Sequence, residues 1–239
     1  MKVRNLGAII ADSLRYDFLK NAFSETGKRE FLLDLGCGIK PFYSLYSEFA
    51  ERSVGIDVAA SPHGTQTADI VYDGKTIPFP ENTFDIVFCT EVMEHVPEPL
   101  AFLEEIYRVL KPGGKVIMTT PFLVPLHEEP YDFFRYTKHG IKHLFTKTGF
   151  DEIRIQPFGE YFGVIIAFSV QIHLKAWRII TNKTKLTFLY SVYNPFIFLF
   201  IALPQWIYLA YYRMPVLKRL KRYLSSACRG YGYTAIKRV

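Results

Sequence analysis

The sequence predicts an α/β protein: a mostly parallel seven-stranded sheet with helices on both faces, and a hydrophobic helical insertion before the last strand. Short apolar runs alternate with helical stretches from Phe31 to Gln156, the pattern of a parallel sheet covered on both sides. A final alternating segment, Gly230–Ile236, is rich in β-formers and reads as a strand returning to the sheet. Between them, residues 161–228 are apolar and basic and break the alternation.

Taken in order, Asn5–Phe23 reads as a helix. Its apolar run Leu6–Ala11 is too short for an export signal and is broken by Asp12 and Arg15. Phe31–Leu35 is a buried-strand run ending in Gly36-Cys37-Gly38, Lys40–Phe49 has helical spacing, and Ser53–Asp57 is a second strand. A weaker strand covers Ala68–Tyr72 and a strong one Phe84–Cys89. Pro99–Leu110 places Leu100, Leu103, Ile106, Tyr107 and Leu110 on one face, and Lys111-Pro-Gly-Gly114 stops it. Lys115–Thr119 follows as a strand. Thr137 is the expected N-cap of a helix to Lys147, Thr148-Gly-Phe150 its stop, and Glu152–Gln156 the next strand. The expected organisation is a sheet domain of residues 1–160 and 229–239 with an insertion at 161–228.

With 239 residues, 49% hydrophobic and 22% charged, the chain excludes disorder and fibrous repeats. Charge is unevenly spread. Residues 1–150 hold 16 Lys/Arg against 20 Asp/Glu, and residues 151–239 hold 13 against 3. Glu160 is the last acid, and the basic, aromatic tract beyond it suggests an anionic surface. Cys37, Cys89 and Cys228 form neither a paired framework nor a CxxC, which fits a reducing compartment.

A dinucleotide phosphate loop needs a third glycine where Pro41 stands. Asp34-Leu-Gly36-Cys-Gly38 instead places an acid two residues before the first glycine, and Asp57 closes the next strand. Two such carboxylates suit a ligand with a cationic amino end and a ribose, not a diphosphate. The run Leu32-Leu-Asp-Leu-Gly-Cys-Gly38 resembles motif I of class I S-adenosylmethionine-dependent methyltransferases. Ile77–Val87, Thr90-Glu-Val-Met-Glu-His95 and Leu110-Lys-Pro-Gly-Gly-Lys-Val116 resemble that family's later motifs in matching order, over roughly residues 30–160 and the last strand.

The resemblance implies a Rossmann-like fold, S-adenosylmethionine as cofactor, and roles for matching residues. Gly36, Cys37 and Gly38 would line the cofactor, Asp34 would receive its amino group, and Asp57 its ribose hydroxyls. Asp73 with Gly74 would meet the adenine, Asp69 being the rival for that role, and Thr90 and Glu91 would face the methionine portion.

Methyl transfer from a sulfonium asks the protein mainly for alignment and exclusion of water. Where the attacking atom must lose a proton, His127 and His95 are the expected catalytic bases, since imidazole titrates near neutral pH. The connector Pro121–Tyr136 follows the fifth strand and reads as an acceptor-binding lid bearing Tyr131, Asp132, Arg135 and Tyr136, or as a surface loop with Arg135 paired to Asp132. No HxH or HExxH spacing announces a metal site.

Leu186–Tyr212 carries no charge across 27 residues, long enough to span a bilayer. Pro195 and Pro204 interrupt it, and a single crossing would strand the last β-segment on the wrong side. Two kinked helices lying in the membrane interface fit better, with Lys175, Arg178, Lys183, Lys185, Arg213, Lys218, Arg219, Lys221 and Arg222 against anionic lipid. The rivals are a hydrophobic cap over the acceptor pocket, a dimer interface and a two-pass hairpin.

The expectation is a methyltransferase in the cytoplasm, peripheral at the inner face of a membrane, acting on an amphipathic or lipid-linked acceptor such as a glycan, quinone-like or lipid intermediate. The alternatives are a soluble small-molecule or sugar methyltransferase with the insertion as lid, and a noncatalytic adaptor of the same fold. Nucleic acid is not the expected partner, because a base-methylating motif is absent where Thr90-Glu-Val-Met stands.

Overall fold

A computed structural model describes residues 8–184, 198–215 and 218–239. Lys185 and the stretch 186–197, including Pro195, lie outside the described residues. The chain divides into two compact units: residues 17–156 with 230–239, and residues 1–16 with 157–229. The boundary falls within helix α1 (Ile9–Thr26), so the N-terminal segment groups with the insertion instead of with the sheet domain in which the sequence placed it.

The first unit is built on seven strands: β1 (Arg29–Leu35), β2 (Ala50–Val58), β3 (Ile70–Tyr72), β4 (Phe84–Thr90), β5 (Leu110–Pro121), β6 (Phe150–Pro157) and β7 (Gly230–Lys237). Their order is β3-β2-β1-β4-β5-β7-β6, parallel from β3 to β5, with β7 antiparallel to β5. The seven strands and the returning last strand match expectation. Leu32, Leu33, Ile86, Val87, Val116 and Ile117 are fully buried, since residues on both faces of the central strands are covered. Each contributes roughly 1.5–3 kcal/mol of burial. Gly232 on β7 lets Phe18 lie against the strand, because a Cβ there would come within 2.4 Å of the Phe18 ring.

Local chemistry sets the helices. In α4 (Lys138–Thr148) the Thr137 side chain accepts from the Gly140 N–H at 3.1 Å, and Gly149 closes the helix at φ 100°. In α3 (Pro99–Val109) Phe102, Leu103, Ile106 and Val109 are buried on one face. Two expectations change. Lys40–Phe49 yields only one turn, α2 (Tyr43–Tyr46), because Phe42 offers no side-chain cap and Lys40 takes a left-handed φ of 51°. Lys111–Gly114 belongs to β5 itself, with a register shift against β4 between Phe84 and Ile86.

The second unit holds α5 (Tyr161–Thr184), a π-helical turn at Phe198–Ala202, α6 (Leu203–Arg213) and α7 (Lys218–Leu224). Glu160, fully buried, accepts from the Phe162 N–H at 2.9 Å and so caps α5. Gly163 permits close helix approach: a Cβ there would come within 2.5 Å of the Tyr208 hydroxyl. Val164, Ala167 and Val170 are buried on α5, and Tyr208 and Leu209 on α6. Pro204 sits in the first turn of α6, where its missing N–H costs nothing. Arg213 donates to the Ser13 hydroxyl at 2.7 Å. Among the described residues, no helix is long and apolar enough to cross a membrane.

Candidate active site

The order of strands reverses between β1 and β4, and ligands of open α/β sheets bind beyond the carboxyl ends at such a switch. The Gly36–Gly38 turn leaves β1 there, and Thr90 and Glu91 leave β4. Gly36 has φ 72°, and any Cβ on it would collide with the Val92 side chain, so backbone alone fits. Its N–H and that of Cys37 donate to the Ile56 carbonyl at 2.9 and 3.1 Å, pinning the turn to β2. The Cys37 thiol is buried and is pushed up to about 12 by desolvation, then by the nearby acids.

Asp57, at the end of β2, is buried and accepts from the Gly38 N–H and the Val58 N–H, both at 2.7 Å. Ser61 donates to it at 3.3 Å. Asp34 is 4% exposed, and burial raises its carboxyl to about 7 against the opposing pull of the Tyr46 hydroxyl and the Lys40 charge. A buried carboxyl held near neutrality is the state that a cationic ligand would ionise.

Of the two rivals for the adenine, Asp69 is engaged within the protein: one oxygen accepts from the Gly55 N–H at 2.7 Å and from the Lys40 ammonium at 2.6 Å. Its carboxyl lies below the usual range, the Gly55 and Lys40 bonds outweighing desolvation. Asp73 caps its own turn, accepting from the Lys75 and Thr76 N–H groups at 2.8 and 2.9 Å, which lower its carboxyl, and Gly74 follows at φ 77°. Glu91 adopts φ 54° and accepts from the Thr119 hydroxyl at 2.8 Å.

The connector after β5 folds onto the single turn Met93–His95. The Glu94 carbonyl accepts from the Phe133 and Phe134 N–H groups at 3.0 and 3.2 Å. The His95 and His127 rings meet edge to face, centroids 5.0 Å apart. Asp132 and Arg135 form a two-pronged pair at 2.5 and 2.6 Å, which with the His127 N–H holds the Asp132 carboxyl down near 2. The Asp132 carboxylate also lies 3.3 Å from His127 Nδ1.

Three of the expected acceptor residues are engaged within the protein. Tyr136 is buried and its hydroxyl donates to the Met93 carbonyl at 3.2 Å, so it anchors the connector. Asp132 and Arg135 are committed to each other and to His127, which makes them positioning groups; Tyr131 remains exposed. Glu94, fully buried beneath the two imidazoles, was missed. Its signal was an acid next to His95 within an otherwise apolar run. The spacing along the chain announces no metal site, yet folding brings ligand atoms of Glu94, His95 and His127 within 4.8 Å of one another.

Residues 33–118 match the model of the family described as a methyltransferase domain. The ubiquinone biosynthesis O-methyltransferase of Dechloromonas aromatica (strain RCB) is 30% identical over 118 residues, 45% of this chain and 50% of its own length. The demethylmenaquinone methyltransferase of Anoxybacillus flavithermus (strain DSM 21510 / WK1) is 29% identical over 128 residues, 51% of this chain and 54% of its own. The chain thus spans about half the length of the curated relatives it matches. The solved phosphoethanolamine N-methyltransferase 2 of Haemonchus contortus, in complex with S-adenosyl-L-methionine, superposes with a TM-score of 0.51 at 21% identity, over 89% of this chain and 50% of its own, a likeness of fold. Ordered motifs, a switch point lined by glycine and buried acid, and the family model matched over residues 33–118 together make this segment similar to the S-adenosylmethionine-dependent methyltransferase domain.

Proposed function

We propose that the protein transfers the methyl group of S-adenosylmethionine to a hydroxyl of a quinone-like, membrane-borne acceptor. The observation that carries the cofactor assignment is the pair of buried acids flanking a turn whose Gly36 admits no side chain. Asp34 offers a desolvated carboxyl to the amino group, and Asp57 retains lone pairs for ribose hydroxyls while tying down Gly38. Asp73 stands for the adenine, and Thr90 and Glu91 for the methionine portion. When bound, the cofactor supplies an electrophilic methyl on sulfur, displaced in line by the acceptor oxygen.

The chain's own part is to align the two and to take the proton. His127 is the base. Its Nδ1 faces Asp132, which fixes the ring and steadies the imidazolium that forms when Nε2 accepts the acceptor's proton. Arg135 Nη2, which donates to Asp132 at 2.6 Å, also lies 3.3 Å from His127 Nδ1, so the base role uses the tautomer that carries its hydrogen on Nδ1, toward Asp132. His95 lies beside it, and Tyr131 lines the way in.

The acceptor class is supported by the names of the relatives and by the helical unit. Along α5, Phe162, Ile165, Ile172 and Ile179 are exposed, as are Trp206 and Ile207 on α6, and no acid follows Glu160. Exposed apolar stripes with only positive charge suit an anionic membrane surface, with Lys175 and Arg219 exposed among them. The test is incubation with methyl-labelled S-adenosylmethionine and a bacterial lipid extract containing quinols. Label entering the organic phase supports the reading, and label that stays with water-soluble compounds overturns the acceptor class.

A further inference from the structure

We infer that Glu94, His95 and His127 form a binding site for one divalent transition-metal ion, of which zinc is the type. These side chains come from the turn after β4 and the connector after β5, and their convergence at the carboxyl edge is a product of the fold. Glu94 Oε1 lies 3.7 Å from His95 Nε2 and 4.0 Å from His127 Nε2. Ligand atoms on one tetrahedral ion sit about 2.0–2.2 Å from it, which puts them roughly 3–3.5 Å apart. All three ligand atoms lie within 4.8 Å of one another, so a contraction of up to about 1.5 Å closes the site, within the freedom of a side chain that is 35% exposed at His127.

The hydrogen-bonding of His95 supports this reading beside the distances. His95 Nδ1 is 2.8 Å from the Tyr131 carbonyl, an oxygen that can only accept, so Nδ1 carries the hydrogen and Nε2 presents a lone pair. At His127 both Asp132 Oδ2 and Arg135 Nη2 lie 3.3 Å from Nδ1, and Nε2 is bare in the tautomer that turns the Nδ1 hydrogen to Asp132. A carbonyl behind one imidazole and a carboxylate behind the other is the outer-shell arrangement that fixes metal-bound histidines and raises their basicity. Two imidazole nitrogens and one carboxylate oxygen make a borderline donor set, suited to zinc or cobalt rather than calcium or magnesium. Three protein ligands leave a fourth position, reached from the His127 side, for water or another oxygen ligand.

An ion held there engages the same Nε2 lone pair that the proposed reaction uses, so zinc holds the transferase off. This consequence rests on His127 being the base; the binding itself does not. The experiment is calorimetric titration of zinc, and visible spectroscopy of cobalt, with the full chain freed of metal by chelator. One ion per chain and a tetrahedral cobalt spectrum are expected, with affinity falling at least tenfold in His95→Ala, His127→Ala and Glu94→Gln. The last keeps the buried shape, and circular dichroism identifies any variant that unfolds. Absence of binding, or affinity indifferent to all three substitutions in folded protein, overturns the site. Methyl transfer to the lipid extract is then followed with and without zinc. Loss of transfer that chelator restores supports both readings, whereas zinc bound with transfer undiminished upholds the site and overturns the base assignment.

Discussion

The carboxyl edge of the sheet gathers acids, whereas residues 161–229 carry none. In the sheet unit the acids are engaged by backbone N–H groups, by a lysine or by an arginine, as at Asp57, Asp69 and Asp132, and burial lifts Asp34. In the helical unit the described side chains leave isoleucines, aromatics and cations at the surface. On the function proposed above the difference is one of ligand: a small cationic cofactor calls for placed carboxylates, and an anionic lipid surface disfavours them along residues 161–229.

The largest effect that tests this division falls on the chemistry alone. His127→Ala should lower methyl transfer by about 10²–10⁴-fold while cofactor affinity stays unchanged by calorimetry. Equal transfer by the variant breaks the assignment of the proton to the sheet unit.

Asp34 sharpens the comparison through pH. On the proposed reading the ionised form binds the cofactor's amino group, and burial raises the Asp34 carboxyl to about 7. Affinity should therefore be flat above that pH and fall about tenfold per unit below it, since protonated Asp34 offers no charge. Affinity that does not change between pH 8 and pH 5.5 removes Asp34 from the cofactor's reach.

Much of the cofactor side was legible in the sequence because its parts are local. Gly36, Gly38 and Asp34 lie within one turn of a strand end, and Asp57 ends the adjacent strand, so spacing alone positions them. The acceptor side was legible only as a composition of residue types. Whether Tyr136 faces a ligand or Met93, and whether Glu94 meets His127, depends on how 16 residues of connector fold back on the turn after β4, a matter of tertiary packing. The short α2 and the grouping of residues 1–16 with the insertion were hidden for the same reason: hydrophobic spacing names a buried face, not its partner.

The smallest effect lies in the helical unit. Lys175→Ala and Arg219→Ala should each weaken co-sedimentation with vesicles of 30% phosphatidylglycerol about fivefold, from the ~1 kcal/mol that one basic residue gains near an anionic surface. Both should leave cofactor affinity untouched. Binding to neutral and anionic vesicles alike, unmoved by either change, would reduce the acid-free stretch 161–229 to ordinary packing.

The central claim is that the switch point holds S-adenosylmethionine through its buried acids, and calorimetric titration of that cofactor into the full chain and into Asp57→Ala tests it most directly. One cofactor per chain, bound more than tenfold more weakly by the variant, is the predicted result. Unchanged affinity in a folded Asp57→Ala, or no binding by the unsubstituted chain at pH 8, contradicts it.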